Sequence, residues 1–182
     1  MLEKSISDID LVLFPCEASI SSILQSCKHR MDLHSNKPGI YTLILHLNGS
    51  QKIRIGSLSW LDFAAGFYAY TGSARGPGGL KRVDRHIQVL TGQKKTRRWH
   101  IDYLLPCTSF QEVVITETFR DLECRIARAI GETQHAVPGF GCTDCDCKSH
   151  LHYSGDLQQL LHAVRKAHDD ALQSIEDIAA IA

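Results

Sequence analysis

No stretch of this sequence is apolar for the ~20 residues that crossing a bilayer needs. The amino terminus lacks the basic-then-apolar pattern of an export signal, since Asp8 and Asp10 precede the short run Leu11 to Phe14. Formal net charge is absent too, with 20 basic and 20 acidic residues in 182. The nucleotide-binding signatures are missing: no Gly-Lys-Ser/Thr closes a glycine turn, and no GxGxxG occurs. Only one Cys-x-x-Cys pair is present, Cys142 and Cys145. These absences leave a soluble, globular, cytoplasmic chain of one ordinary domain with extensions. Its seven cysteines are then expected to be free thiols or metal ligands.

Charge is present but unevenly placed. From Ser73 to His100 the chain carries eight Lys or Arg against one acid, a local +7, whereas Ser154 to Ala182 carries −3. Such asymmetry can give a neutral molecule a basic face.

The run Gly66 to His86, GFYAYTGSARGPGGLKRVDRH, organises the rest. Phe67 to Thr71 alternates as a strand, with Tyr68 and Tyr70 on one face. A glycine-rich turn from Gly72 to Gly79 leads into a helix whose apolar stripe is Leu80, Val83, Ile87 and Leu90. Arg82 and His86, four apart, share a side of that helix. A strand-end tyrosine, turn amides and arginines on the next helix suit a bound phosphate. A plain strand-to-helix connection would use the same glycines.

Upstream, residues 39 to 47 alternate as a strand, Asn48-Gly49 signals a hairpin, and Lys52 to Gly56 is the expected return strand. With Phe67 to Thr71 these make three strands of one antiparallel sheet, joined through a connection from Ser57 to Ala65. His46 is expected at the strand surface. Thr91 to Arg98 reads as a basic loop and Trp99 to Leu105 as a short helix or turn, with His100 and Asp102 diverging as packing and hydrogen-bonding residues. Glu112 to Thr118 is a last strand, and Asp121 to Ile130 a helix with Glu123 in its first turn. A first-turn carboxylate also simply suits the helix dipole. Residues 1–36 form an amino-terminal extension, with Ile20, Ile23 and Leu24 at helical spacing and Cys16 and Cys27 as ordinary thiols. Residues 154–182 form a terminal helix with the stripe Leu157, Leu160, Leu161, Val164 and Ala167, packed on the domain or mediating self-association, with His162 and His168 exposed.

The segment GFGCTDCDCKSHLHY, within 139–153, is rich in glycine, cysteine and histidine. Cys142, Cys145, Cys147 and His150 are the candidates for a tetrahedral zinc site, thiolate and imidazole being the donors zinc favours. One short loop would then supply every ligand. A loop packed beside the active site, with Asp144 and His150 orienting neighbours, is the rival reading.

Gly39-Ile40-Tyr41 together with Tyr70-Thr71-Gly72 resembles the paired signature of the GIY-YIG nuclease family. The likeness extends over residues 38 to 153, to a branch with a GSA segment (Gly72-Ser73-Ala74), a WHIDYLL block (Trp99 to Leu105) and a GFG-DC-C-SHL block (Gly139 to Leu151). The resemblance implies an α+β fold, a small antiparallel sheet flanked by helices, over residues 37–153. It implies a metal-dependent DNA endonuclease with Tyr41, Tyr70, Arg82, His86 and Glu123 as catalytic residues. Glu123 would hold one Mg2+ or Mn2+ ion; Tyr41 would help deprotonate the attacking water; Tyr70 would orient water or phosphate; Arg82 would grip the scissile phosphate; His86 would support it. Arg75, Lys81, Arg85, Arg97 and Arg98 are the candidates for contacts to the DNA backbone. The chain departs from the pattern at Thr71, where isoleucine is common, and at Ser73, where some members carry lysine. DNA is the expected partner, with a second copy of the chain or a repair protein beside it; a non-cleaving nucleic-acid binder of the same fold and a zinc-stabilised interaction module are the alternative functions.

Overall fold

The computed structural model describes residues 35–181. The expectations for Cys16, Ile20, Ile23, Leu24 and Cys27 lie outside the described residues.

Two strands carry the paired motif and form the middle of the fold. β1 (Gly39–Leu47) is buried along nearly its whole length, as its alternation of apolar residues on both faces requires. It pairs antiparallel with β4 (Gly66–Ser73), and Tyr41 lies opposite Gly72. Its other edge pairs antiparallel with β5 (Ser109–Glu117). The five-stranded order is β5-β1-β4-β7-β6, where β6 is His135–Ala136 and β7 is Leu151–Ser154.

The expected three-strand sheet is corrected here. β2 (Gln51–Arg54) does not return along β1; it pairs with β3 (Trp60–Phe63) in a separate two-stranded sheet. Both edges of β1 are already taken by β4 and β5, so no ladder remains for β2. The segment expected as a connection therefore contains a strand. The cysteine-rich segment also ends in one, β7, which pairs with β4 at Tyr70–Leu151.

The glycine of each motif is required by close approach. A Cβ on Gly39 would stand 2.7 Å from the Thr116 carbonyl oxygen on β5. A Cβ on Gly72 would stand 2.5 Å from the Tyr41 hydroxyl oxygen and 2.6 Å from its Cζ. Real Cβ atoms do not come so near, so Gly72 makes the room in which the Tyr41 ring lies.

Helices cover both sheet faces, and period-two alternation on the strands sorts the core into two parts. On one face Tyr41, Leu43, Leu45, Tyr68 and Tyr70 pack with α1 (Lys81–Leu90) through Leu80, Val83 and Ile87, and with α2 (Ile101–Leu104). On the other, Ile40, Ile44 and Ala69 meet Leu122, Ile126 and Ile130 of α3 (Glu123–Gly131) and the terminal helix α4 (Leu157–Ile181). The stripe Leu160, Leu161, Val164 and Ala167 is buried there as its spacing predicts. The fold is α+β, as expected. His168 is a correction: it is buried, not exposed, because its two ring nitrogens reach Thr42 Oγ1 at 2.9 Å and Thr116 Oγ1 at 2.8 Å. His162 is exposed. Among the described residues no helix is long and apolar enough to cross a membrane.

Candidate functional site

Adjacent antiparallel strands put Tyr41 and Tyr70 on the same sheet face, and α1 crosses that face with His86 pointing inward. The Tyr41 hydroxyl and His86 Nε2 are 2.8 Å apart and share a hydrogen bond. The Tyr70 ring meets the His86 ring edge-on at 6.1 Å between centroids. Tyr41 and His86 are each 1% exposed and Tyr70 8%, so these three rings are the dry members of the cluster.

Burial pushes the Tyr41 phenol well above the ordinary value of 10.0; the neighbouring Tyr70, Glu123 and Asp102 push the same way and Arg82 opposes. Tyr70 is raised by burial first, then by Glu123 and Asp102, again against Arg82. Both are therefore neutral phenols near neutral pH. Burial lowers the pKa of His86, although Asp102 pulls it upward. His86 is a neutral imidazole held against a phenol.

Arg82, partly exposed, donates from Nη1 to the Ser73 carbonyl at 2.6 Å, and its guanidinium carbon lies 5.0 Å from the Trp99 ring centre. The Arg85 and Arg98 guanidiniums stand at 4.3 and 5.3 Å from the same ring. Trp99 thus serves as a platform for three arginines, a cation–π arrangement.

Asp102 organises the charged half of the site, and the hydrogen bonding expected of it from sequence is what it does there. It is fully buried and accepts from Arg85 Nη1 at 2.9 Å and Nη2 at 2.7 Å, from the Arg98 amide at 2.7 Å and from the Trp99 amide at 3.1 Å. Its Oδ1 lies 3.4 Å from His86 Nδ1, although that nitrogen makes no aligned hydrogen bond. Burial alone would raise Asp102, but the His86 imidazole, Arg85 and the two amides outweigh it and hold the carboxyl well below its usual range. His100 diverges from it as expected: its ring nitrogens face Ser57 Oγ at 3.3 Å and the Gly141 amide at 3.2 Å.

Glu123 opens α3, and its charge acts on both Tyr41 and Tyr70. Its side chain is 24% exposed, and Oε1 accepts from His150 Nδ1 at 3.1 Å. Gly141 fits between His150 and Tyr70, where an added Cβ would stand 3.2 Å from each. The structure therefore brings Tyr41, Tyr70, Arg82, His86 and Glu123 into one neighbourhood, with His150 of the cysteine-rich segment held against Glu123, as the reading of that segment as a loop beside the site expected.

The residues expected on a nucleic-acid backbone divide. Lys81, Arg97 and Arg98 are exposed. Arg75 pairs with Asp121. Arg85 is 15% exposed at its side chain and bound to Asp102 by both terminal nitrogens, which makes it a strut of the site.

Beside Glu123 a second cluster forms. Cys124, Cys145, Cys147 and His150 bring one donor atom each to within 4.8 Å of one another, a group that could hold a metal ion and that suits zinc. The expected set is corrected at one position. Cys142 is outside it, with its sulfur directed to the Lys148 carbonyl at 3.8 Å, and Cys124 from α3 stands in its place. Sequence spacing concealed Cys124 because it lies 21 residues before Cys145, on a different element. A shallow groove of ≈ 430 Å3 along α4, lined by Leu161, His162, Arg165 and neighbours, shares no residue with either cluster.

Fold and site together define a class: a small α+β domain with a buried tyrosine–histidine pair, an arginine and a helix-borne glutamate at one end of a five-stranded sheet. The chain belongs to the family described as Domain of unknown function DUF123, whose model matches residues 40–173. No curated protein and no solved structure matches the chain.

Proposed function

We propose that this protein is a metal-dependent DNA endonuclease that hydrolyses phosphodiester bonds, as its resemblance to GIY-YIG nucleases implies. The observation that carries the reading is the hydrogen bond of 2.8 Å between the Tyr41 hydroxyl and His86 Nε2, in a cluster that also takes in Tyr70, Arg82 and Glu123. A phenol raised in pKa is a poor base alone. A phenol hydrogen-bonded to a neutral imidazole can accept a proton from water at its oxygen while passing its own proton to His86 Nε2. The imidazolium so formed faces the Asp102 carboxylate, 3.4 Å from Nδ1. This relay supplies the basic help that lysine gives in some family members, in a chain that carries Ser73 at that position.

Arg82 keeps Nε and Nη2 for a phosphate while Nη1 is fixed on Ser73, and a planar guanidinium suits that task better than an ammonium. Tyr70 orients the water or the phosphate. Glu123 Oε2 makes no hydrogen bond among the described residues, so this carboxylate oxygen fits a hard cation that keeps most of its waters. When bound there, Mg2+ or Mn2+ would neutralise charge on the leaving oxygen. Lys81, Arg97 and Arg98 would contact the backbone, giving affinity with little sequence choice. A cytoplasmic location and a repair-protein partner or second copy belong to the same proposal.

The test is nicking of plasmid and branched DNA with Mg2+ or Mn2+, comparing wild type with Tyr41→Phe, Arg82→Ala and Glu123→Ala. Loss of cleavage by at least about 100-fold in each variant supports the relay and the phosphate grip. Cleavage by wild type that survives Glu123→Ala, or DNA binding with no cleavage under any metal, rejects the enzyme and leaves a nucleic-acid binder.

A further inference from the structure

The second cluster uses groups that the hydrolytic reading leaves idle. Three of its donors come from the segment between β6 and β7: Cys145, Cys147 and His150. The fourth, Cys124, comes from the first turn of α3. Only Val137 and Phe140 give that segment apolar anchorage outside the cluster, and residues 137–150 contain no helix or strand. A connection of this length in a compact fold needs a constraint of its own.

The geometry inside the cluster points to a four-coordinate soft ion. His150 Nε2 lies 3.5 Å from Cys145 Sγ and 3.9 Å from Cys124 Sγ. A tetrahedral centre with Zn–S near 2.3 Å and Zn–N near 2.05 Å has a sulfur–nitrogen edge of about 3.6 Å. Cys147 Sγ lies 3.9 Å from the carbonyl of Cys124, which seats it on the same helix turn. The opposite nitrogen of His150 fixes the tautomer. Nδ1 donates to Glu123 Oε1 at 3.1 Å, so the lone pair on Nε2 faces the three sulfurs. A carboxylate on the far nitrogen of a ligating histidine is how protein metal sites orient imidazole and raise its basicity.

We propose that Cys124, Cys145, Cys147 and His150 bind one zinc ion, and that Glu123 is the carboxylate that orients His150 toward it. Three thiols and one neutral imidazole bind as three thiolates and imidazole, with three protons released to solvent. The ion ties the 141–150 segment to α3 and, through His150, fixes the Oε1 side of Glu123. Glu123 is then a positioning residue for one centre as well as a candidate ligand for another. The zinc assignment stands without the nuclease reading.

The experiment uses the full chain, purified under reducing conditions, with metal content measured by mass spectrometry. One zinc per chain is expected for wild type and for Cys142→Ser. The apo chain titrated with Co2+ should develop thiolate-to-cobalt charge-transfer bands together with the visible bands of a tetrahedral ion. Cys124→His keeps a donor at that position, so it should still bind with weaker charge-transfer intensity, whereas Cys145→Ser should lose the ion. Glu123→Gln should keep the wild-type spectrum but release zinc to a competing chelator at about 10- to 100-fold lower chelator concentration. Absence of zinc and of any cobalt spectrum in wild type overturns the proposal. So does a spectrum that Cys142→Ser abolishes and Cys124→His leaves unchanged, since the loop alone would then hold the ion. A Glu123→Gln variant with wild-type zinc affinity overturns the orienting role. None of these measurements involves DNA, so a failed cleavage assay leaves their outcome untouched.

Discussion

Asp102 holds the Arg85 guanidinium and the Arg98 and Trp99 amides in register from a position with no access to water, and its removal strands the Arg85 charge. Breaking one partner of a buried ion pair costs about 3–5 kcal/mol. Asp102→Ala should therefore lower the unfolding free energy from urea titration by an amount of that order, and Arg85→Lys should recover little of what Arg85→Ala loses, because lysine lacks the two-pronged geometry. Gly72→Ala tests a different kind of dependence. The added methyl collides with the Tyr41 ring, so the ring must shift, and a misplacement near 1 Å can cost about 100-fold in rate while stability falls by about 1–3 kcal/mol. If the protein cleaves DNA as proposed, cleavage should drop far more than thermal stability in that variant. His168 makes a pH prediction. Burial lowers its pKa from 6.5 to about 4, so the unfolded chain takes up the proton first. Stability is complete above about pH 6.5 and falls as pH drops toward 4, by up to about 3 kcal/mol from this residue alone. Urea unfolding across that range should show a shallower pH slope in His168→Gln than in wild type.

Among the elements, β1 explains most of what the motif pattern means. Its alternation was legible from sequence, as were β4, α1, α3 and α4, because each carries a clean period of two or 3.6. The pairing partners were not legible. A hairpin signal at Asn48-Gly49 marks a reversal but says nothing of whether the returning strand finds a free edge, and β4 and β5 occupy both edges of β1. The short strands β3 and β7 were hidden for a related reason: four residues are too few for a pattern, and pairing with a neighbour is what makes them strands. The 137–150 segment is pinned by Phe140, which is fully buried against Phe63, Tyr70 and His100. Phe140→Ala should cost about 3–5 kcal/mol, read from denaturant unfolding. Hydrogen exchange should then quicken in 141–150 before it does in β1.

At the scale of the whole molecule, zero net charge conceals a divided surface. The basic segment includes the exposed Lys81, Arg97 and Arg98 near Trp99, while Arg82 and Arg85 are already held by Ser73 and Asp102. If the basic segment meets DNA, binding should weaken steeply with salt. Each of Lys81→Ala, Arg97→Ala and Arg98→Ala should reduce the slope of log affinity against log salt by about 1, measured by fluorescence anisotropy on one duplex in rising NaCl. Arg85→Ala should act through stability instead, which separates a surface contact from a strut.

The order of residues alone determined the mix of strands and helices and the inward and outward faces of the main elements, since these follow from local periodicity; Tyr41, Tyr70, Arg82, His86 and Glu123 were singled out by the resemblance to GIY-YIG nucleases. Only the tertiary structure decided that Cys124 rather than Cys142 joins the sulfur cluster, that Glu123 binds His150, and that Asp102 rather than phosphate holds Arg85. Those are contacts between groups 17 to 27 positions apart on different elements. Their distances are set by how helices and strands pack, which no local pattern encodes.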